Sequence, residues 1–285
     1  MRTNKQGRRR FLQLCGAGAA ASLAGAHRSM GQTRRSGASR RAELPFKLGL
    51  ASYTLRKFSL EDTLAMTKKL DLKYICFKSF HLALDSTPAQ IADTVAKVEA
   101  AGLILYGGGV IGMKNEDQVN QAFDYAKAAG MKVIVAAPSP EMLPMINKKV
   151  RQYDIKVAIH NHGPGDKLFP TPAVAYKHIK DLDGRIGLCH DIGHTMRYGS
   201  DPLAETEQYA DRLHDVHMKD VSAATAKGHN VEVGRGVIDI PAFVRILVKI
   251  KYDGIVSFEY EKDADDPLAG LAESVGYVRG VMATV

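Results

Sequence analysis

The chain has 285 residues, 45% of them hydrophobic, which is enough to bury a sizeable core and excludes global disorder. Its net charge is +8, but ten of the 39 basic residues and no acidic residue lie within residues 1 to 41. The remainder carries 29 basic against 31 acidic groups, so this near-neutral part argues against a nucleic-acid partner.

The N-terminal segment predicts export. The motif Arg8-Arg9-Arg10-Phe11-Leu12 precedes an Ala/Gly-rich apolar stretch that is too short to span a bilayer. It resembles a twin-arginine signal, with a candidate cleavage site at Ala24-Gly25-Ala26. We therefore expect a signal peptide over residues 1–26, transient contact with the twin-arginine export machinery, no stable membrane span, and a periplasmic or extracytoplasmic location. A disordered basic arm is the alternative. Residues 27–44 predict a flexible linker.

From Phe46 onward, short β-type runs alternate with amphipathic helical stretches. The predicted strands are Lys47–Tyr53, Lys73–Ser79, Leu103–Tyr106, Lys132–Ala136, Lys156–Asn161, Arg185–Cys189, Asp215–Met218 and Gly254–Tyr260. Eight strand–helix units predict an α/β fold, a single-domain (β/α)8 TIM barrel over residues 45–285. The rival is a doubly wound open sheet, which would usually carry a glycine-rich nucleotide loop after the first strand. The first predicted strand is not followed by such a loop.

Two further features bear on the barrel interior. Gly107-Gly108-Gly109 is expected to follow the third strand as a loop that allows close backbone approach to a ligand, without the ending of a phosphate-binding loop. Cys15, Cys76 and Cys189 do not make a disulfide framework. Cys76 and Cys189 lie in separate apolar runs, so we expect buried free thiols there.

Imidazole and carboxylate groups gather at four consecutive strand ends, where such barrels build their active sites. Mixed nitrogen and oxygen donors from different strands predict a site for one divalent ion, Mn²⁺, Co²⁺, Mg²⁺, Zn²⁺ or Fe²⁺. Alternation along a strand places paired groups on one side and lets only one of His190 and Asp191 face the barrel axis. The pairs are His160 with His162, His217 with Lys219, and Glu259 with Glu261.

The segments Ala158–Asp166, Asp191–His194, Asp215–Asp220 and Val256–Glu259 resemble the xylose isomerase-like TIM barrels of the sugar phosphate isomerase/epimerase superfamily. The resemblance implies that His194 binds a substrate hydroxyl and that four side chains hold the metal ion. These are His160, Asp191, His217 and Glu259.

Family members usually carry glutamate at the position of His160. The resemblance therefore supports fold and metal better than a 3-epimerisation that uses two carboxylate bases. The His-Asn-His strand end is similar to relatives that process 3-keto-sugars, including hydratases of 2-hydroxyglucal-type enols.

These observations predict a metal-dependent isomerase or epimerase that acts on a small sugar or keto-sugar through an enediolate-type intermediate. Glu259, His162 and Lys219 are the expected catalytic groups. The expected substrate-binding residues are His194, Lys78, His81, Arg235 and Glu261. A keto-sugar hydratase or lyase on the same metal site is the alternative, and a non-catalytic sugar-binding barrel is a third interpretation. The sequence leaves open whether the chain forms a homo-oligomer.

Overall fold

The computed structural model describes residues 46–285, so the predicted signal peptide and the predicted linker lie outside the described residues. This part of the chain contains ten strands and nine α-helices. The strands are β1 (Lys47–Ala51), β2 (Tyr74–Phe77), β3 (Ile104–Met113), β4 (Val133–Pro138), β5 (Lys156–His160), β6 (Ile186–Asp191), β7 (Leu213–Met218), β8 (Asp220–Val221), β9 (Asn230–Val231) and β10 (Ile255–Phe258).

The helices alternate with these strands, and two of them, α6 and α7, lie between β6 and β7. They are α1 (Leu60–Lys69), α2 (Pro88–Ala100), α3 (Glu116–Ala128), α4 (Leu143–Tyr153), α5 (Pro172–Ile179), α6 (Ile192–Tyr198), α7 (Pro202–Gln208), α8 (Ile240–Lys249) and α9 (Leu268–Met282).

Eight strands close into a barrel in the order β1-β10-β7-β6-β5-β4-β3-β2, and every pair in it is parallel. The closed parallel barrel with alternating helices confirms the predicted (β/α)8 fold. Because the strands are parallel, their carboxyl ends meet at one end of the barrel, where the polar clusters lie. β8 and β9 form a separate antiparallel pair just after β7.

Side chains fill the barrel interior. Tyr106 on β3 reaches across to two strands that are not its neighbours: its hydroxyl lies 3.1 Å from Asp215 Oδ2 on β7 and 2.5 Å from Ser257 Oγ on β10. Burial raises the pKa of Asp215 to about 7. The Tyr106 hydroxyl and the Val216 backbone N–H donate to this carboxyl group, which would otherwise be costly to bury.

Local sequence features mark the ends of several helices. The Thr87 side chain caps α2 in a capping box with Gln90, and Pro88 occupies the first turn. Asp239 caps α8 by accepting from the backbone N–H of Ala242. Gly102 follows α2 with a φ of 79°, a conformation that favours glycine.

The structure corrects the predicted strand ends and the glycine loop. β1 ends at Ala51, because Ser52–Leu55 forms a turn of 3-10 helix. The three glycines lie inside β3, not after it, so the predicted loop was wrong. A Cβ atom at Gly109 would lie 2.2 Å from the Val135 carbonyl oxygen of β4. Glycine is therefore required there by close strand packing.

In the described part of the chain, the helices are all too short or too polar to cross a membrane.

Candidate metal centre

Four side chains converge at the carboxyl ends of β5, β6, β7 and β10. One donor atom from each of the four lies within 4.8 Å of the others: His160, Asp191, His217 and Glu259. The His160 Nε2 and His217 Nδ1 atoms are 3.0 Å apart, and His217 Nδ1 lies 3.1 Å from Glu259 Oε2. His160 Nε2 is 3.5 Å from Asp191 Oδ2. We call these four residues the upper set.

The position of Asp191 follows from two local hydrogen bonds. As the N-cap of α6, it accepts at Oδ1 from the His194 backbone N–H at 2.7 Å. Its own backbone N–H donates to Asn161 Oδ1 at 2.9 Å. With Oδ1 fixed in this way, Oδ2 is the oxygen that faces His160 and His217 of the upper set.

The Lys219 ammonium group lies against the same carboxylates. Its Nζ atom is 2.8 Å from Asp191 Oδ2 and 2.8 Å from Glu259 Oε2, and it also contacts Glu261. The Lys219 side chain is only 3% exposed. One buried cation therefore contacts three carboxylates, two of which belong to the upper set.

The pKa directions follow from this arrangement. Burial alone would raise the pKa of Asp191 and of Glu259, but the adjacent cationic groups, Lys219 among them, hold both well below the usual range. Burial would lower the pKa of Lys219, and the surrounding carboxylates raise it well above the ordinary value instead. Burial lowers the pKa of His160 well below that of a free imidazole. The ionised carboxylates and neutral imidazole are the forms that bind metals.

The upper set fits a divalent ion. A tetrahedral ion bound at about 2.0–2.2 Å holds its donors roughly 3.3–3.6 Å apart, close to the separations of 3.0, 3.1 and 3.5 Å here. Asp191 Oδ2 is buried and accepts no hydrogen bond of acceptable geometry, although Lys219 Nζ lies 2.8 Å away. Besides its contact with the Lys219 ammonium group, this oxygen keeps a lone pair that a metal ion in the upper set could use.

A family model described as "Xylose isomerase-like TIM barrel" matches residues 46–281. The chain belongs to this family. Relatives with curated names match shorter stretches. The rhizopine catabolism protein MocC of Rhizobium meliloti is 26% identical over 131 residues, 41% of this chain and 40% of that protein. The inosose dehydratase of Lacticaseibacillus casei is 24% identical over 136 residues, 42% of this chain and 45% of that enzyme. The chain thus spans less than half the length of these relatives.

Solved structures agree on the fold. The 3-keto-D-glucoside 4-epimerase from E. coli superposes with a TM-score of 0.67 at 17% identity, covering 82% of this chain and 99% of that one. At this identity the likeness concerns the barrel architecture only.

In this xylose isomerase-like barrel, several other predicted site residues surround the upper set. The His162 ring lies 4.5 Å from the His160 ring, is 40% exposed, and has Nδ1 3.3 Å from Asp166. His194 Nε2 is 3.9 Å from Asp191 Oδ2. Lys78, on the far wall, donates to the Val110 carbonyl at 3.0 Å, and the charge of Glu259 opposes the lowering of its pKa by burial. His162 and His194 thus lie beside the upper set, and the roles of His162, His194, Lys78 and Glu261 towards a substrate stay predictions.

Two predicted substrate-binding residues make other contacts. His81 is buried, with Nε2 3.0 Å from Thr63 Oγ1 and 3.2 Å from the Phe58 carbonyl. Arg235 is 64% exposed and donates from Nη2 to Glu273 on α9 at 2.8 Å. The structure brings neither of them into contact with the upper set, so their part in substrate binding stays a prediction.

Two positioning residues were missed by the sequence reasoning. The Asn161 side chain accepts from the Asp191 backbone N–H and donates to the Asp191 carbonyl. It also donates to Thr195 Oγ1 at 3.1 Å. Thr54 Oγ1 accepts from the Tyr260 backbone N–H and donates to the Phe258 carbonyl, bracketing Glu259. Asn161 stands between two histidines and points away from them, a signal that period-two alternation offered. Thr54 is about 200 residues away from Glu259 in the sequence, and no pattern around it indicated this contact.

Beneath Asp191 lies a second group of donors that shares both histidines. One nitrogen from His160, one from His217 and the Cys189 sulfur also lie within 4.8 Å of one another. We call these three residues the lower set. Cys189 and Cys76 are both buried and free. Burial and the nearby carboxylates raise the pKa of Cys189, so this group is a neutral thiol in the absence of a cation.

Proposed function

We propose that this chain is a divalent-metal-dependent sugar isomerase or epimerase that acts on a small keto-sugar through an enediolate-type intermediate. The observation that carries the proposal is the upper set itself, two imidazoles and two carboxylates whose donor atoms lie within 4.8 Å at the catalytic end of the barrel. Membership of the xylose isomerase-like family supports the same chemistry.

The upper set would hold the ion, and a divalent ion there would polarise a substrate carbonyl as a Lewis acid. Glu259 would then serve as the base that takes the proton from the adjacent carbon, since its carboxylate is ionised and lies just after β10 among the donors of the upper set. Lys219, whose Nζ is 2.8 Å from Glu259, would supply positive charge near the oxygen on which negative charge develops. His162 and His194 orient hydroxyl groups of the substrate at the rim.

This arrangement favours proton transfer on one face of the substrate. An epimerisation with two bases needs a second proton carrier on the opposite face, and His160, which stands near Glu259, has its Nε2 directed at the other donors of the upper set. Lys78 lies on the opposite wall and is the candidate for that second group.

A hydro-lyase is the second candidate, favoured by His160 in place of a second carboxylate and by the similarity to inosose dehydratases. The first step is the same removal of a proton by Glu259. The β-hydroxyl would then leave as water after taking a proton from His162. The substrate would again be a ketone with neighbouring hydroxyls.

Hydrogen–deuterium exchange tests the shared step. Full-length protein loaded with Mn²⁺ is incubated in D₂O with a panel of keto-sugars and inososes, and exchange at the carbon next to the carbonyl is followed by NMR. Glu259→Gln should slow exchange about 10²–10⁴-fold. Bound metal is measured in each sample, because Glu259 also belongs to the upper set.

The products separate the two candidates. A new ketose or aldose indicates isomerase or epimerase chemistry, whereas an absorbing α,β-unsaturated ketone indicates a hydro-lyase. Exchange that proceeds equally fast in a metal-loaded Glu259→Gln variant would contradict the assignment of the base. Ligand binding with no exchange on any substrate would favour a non-catalytic sugar-binding barrel.

A further inference from the structure

The lower set lies one layer deeper in the barrel than the upper set. Cys189 and Asp191 are two residues apart on β6, so their side chains share the inward face. Cys189 pairs in register with His160, and Asp191 pairs with His217. The thiol is therefore the donor directly beneath the carboxylate, between the two histidines of the neighbouring strands.

Each histidine of the lower set has one ring nitrogen without a hydrogen-bond partner among the described residues. His160 Nδ1 and His217 Nε2 are both buried and have no hydrogen-bond partner among the described residues. The rings themselves are fully enclosed, at 1% and 2% exposure. A buried imidazole nitrogen without a partner costs free energy that a cation would recover.

We propose that His160, Cys189 and His217 form a second metal position, selective for thiophilic ions such as Zn²⁺ or Cd²⁺ and mutually exclusive with the upper set. Thiolate and imidazole donors favour such ions, whereas the carboxylates of the upper set suit Mn²⁺ or Mg²⁺. A neutral imidazole offers a lone pair on only one ring nitrogen, because the other carries the proton, so an ion in the lower set withdraws two of the four donors from the upper one. On binding, the Cys189 thiol releases one proton to solvent and its sulfur binds the ion.

The consequence is competition between metals. An ion that enters the lower set displaces Mn²⁺ from the upper set and inhibits the enzyme without touching a substrate group. The selectivity depends on a single sulfur atom, since both sets draw on the same two imidazoles. This inference does not rest on the proposed reaction, because it concerns metal binding alone.

The probe is Cd²⁺ added to the full chain, with Cys15→Ala in every protein so that two thiols remain. We expect near-ultraviolet absorption from a thiolate–Cd²⁺ bond that saturates at about one Cd²⁺ per chain. Cys189→Ala and Cys189→Ser should abolish it. Cys76→Ala is the matched control, because Cys76 is a buried free thiol of the same interior cluster and lies outside the lower set. It should keep the signal.

A second arm follows Mn²⁺ by electron paramagnetic resonance. Cd²⁺ should release bound Mn²⁺ at concentrations at least about tenfold lower in the parent than in Cys189→Ser, since the thiolate contributes much of the affinity for Cd²⁺. Asp191→Ala should lose Mn²⁺ binding and keep the thiolate–Cd²⁺ absorption. A parent protein that fails to bind Mn²⁺ would therefore contradict the proposed function. The lower set could still be tested in that protein with Cd²⁺.

The proposal is overturned if the absorption is missing from the parent or persists in both Cys189 variants. Circular dichroism checks that each variant is folded. X-ray absorption at the cadmium edge gives a readout that needs no substitution at Cys189. One sulfur and two nitrogen neighbours are expected, and a shell of oxygen atoms alone would overturn the assignment.

Discussion

Lys219 balances the charge of the candidate metal centre. Its ammonium group contacts Asp191, Glu259 and Glu261, and the first two carboxylates are almost fully enclosed by protein. Charges this close interact strongly where water is excluded, but each also loses its hydration. Removing one partner of such a group costs more than the intact group contributes, because the others are left buried and uncompensated.

We predict that Lys219→Met lowers the free energy of unfolding of the metal-free protein by about 3–5 kcal/mol. Saturating Mn²⁺ should restore most of this loss, because an ion that binds only the folded state stabilises it. Urea unfolding with and without Mn²⁺ measures both effects.

Lys262→Met is the control for this substitution. Lys262 pairs with Glu232 at 2.7 Å but is 40% exposed, so its removal should lower the free energy of unfolding far less than the removal of Lys219. Equal losses in the two variants, or no recovery of Lys219→Met with Mn²⁺, would contradict the charge-balancing role.

At the same scale, alternation along each strand predicted which side chains share a face, and the structure brings the four donors of the upper set together. The contact of Lys219 with the donors themselves was not predicted. The sequence placed Lys219 only on the same side of its strand as His217, because a strand pattern gives the direction of a side chain and not where its flexible end lies. The lower set was not predicted, because Cys189 lies in an apolar run and was interpreted as a buried thiol of the core.

At the level of secondary-structure elements, the Asn161 side chain connects the ends of β5 and β6 through hydrogen bonds. Its amide bonds to the Asp191 carbonyl at 3.2 Å and accepts from the Asp191 backbone N–H at 2.9 Å. The bonds hold one metal donor against its neighbour on the next strand. Residues that orient ligands in this way commonly affect metal affinity as much as stability.

Asn161→Ala is expected to lower the free energy of unfolding by about 1–3 kcal/mol, because a buried N–H loses its acceptor. Mn²⁺ affinity should fall about 10–100-fold. Calorimetric titration and urea unfolding give the two values.

Asn115→Ala provides a matched comparison. Asn115 caps α3 through the Gln118 backbone N–H, away from the upper set. The Asn115→Ala substitution should lower the free energy of unfolding by about 1 kcal/mol and leave Mn²⁺ affinity unchanged. Unaltered affinity in Asn161→Ala would remove Asn161 from the positioning residues.

The packing of β7 on β6 predicts that the free energy of unfolding depends on pH. His214 lies over Gly187 with Nε2 2.8 Å from the Gly184 carbonyl. Burial lowers its pKa to about 4, below the value near 6.5 of an unfolded chain. Its neutral form is favoured in the fold, so its contribution is complete above pH 6.5 and is lost as the pH falls towards 4.

We therefore expect the free energy of unfolding to fall more steeply between pH 6.5 and 4 in the unaltered protein than in His214→Gln. Urea unfolding at a series of pH values provides the comparison. Parallel curves would show that His214 does not contribute to this acid sensitivity.

For the whole molecule, alternating periodicities predicted a barrel of eight strands and alternating helices, which the structure confirms. The predicted ends of β1 and β3 were wrong for physical reasons that a single sequence hides. Ser52 begins a 3-10 turn, and the glycines of β3 continue the strand because β4 approaches too closely for a side chain. The export signal and periplasmic location stay predictions, because they depend on residues 1–26.

The central claim is that one divalent ion is held by the upper set. The most direct measurement is elemental analysis of the full chain purified without chelators, beside Asp191→Ala and His217→Ala. Glu273→Ala is the control, because this carboxylate pairs with Arg235 at the surface. We predict about one divalent ion per chain in the unaltered protein and the control, and none in the two other variants. An unaltered protein that holds no metal after incubation with Mn²⁺, Co²⁺ or Zn²⁺ would contradict the account.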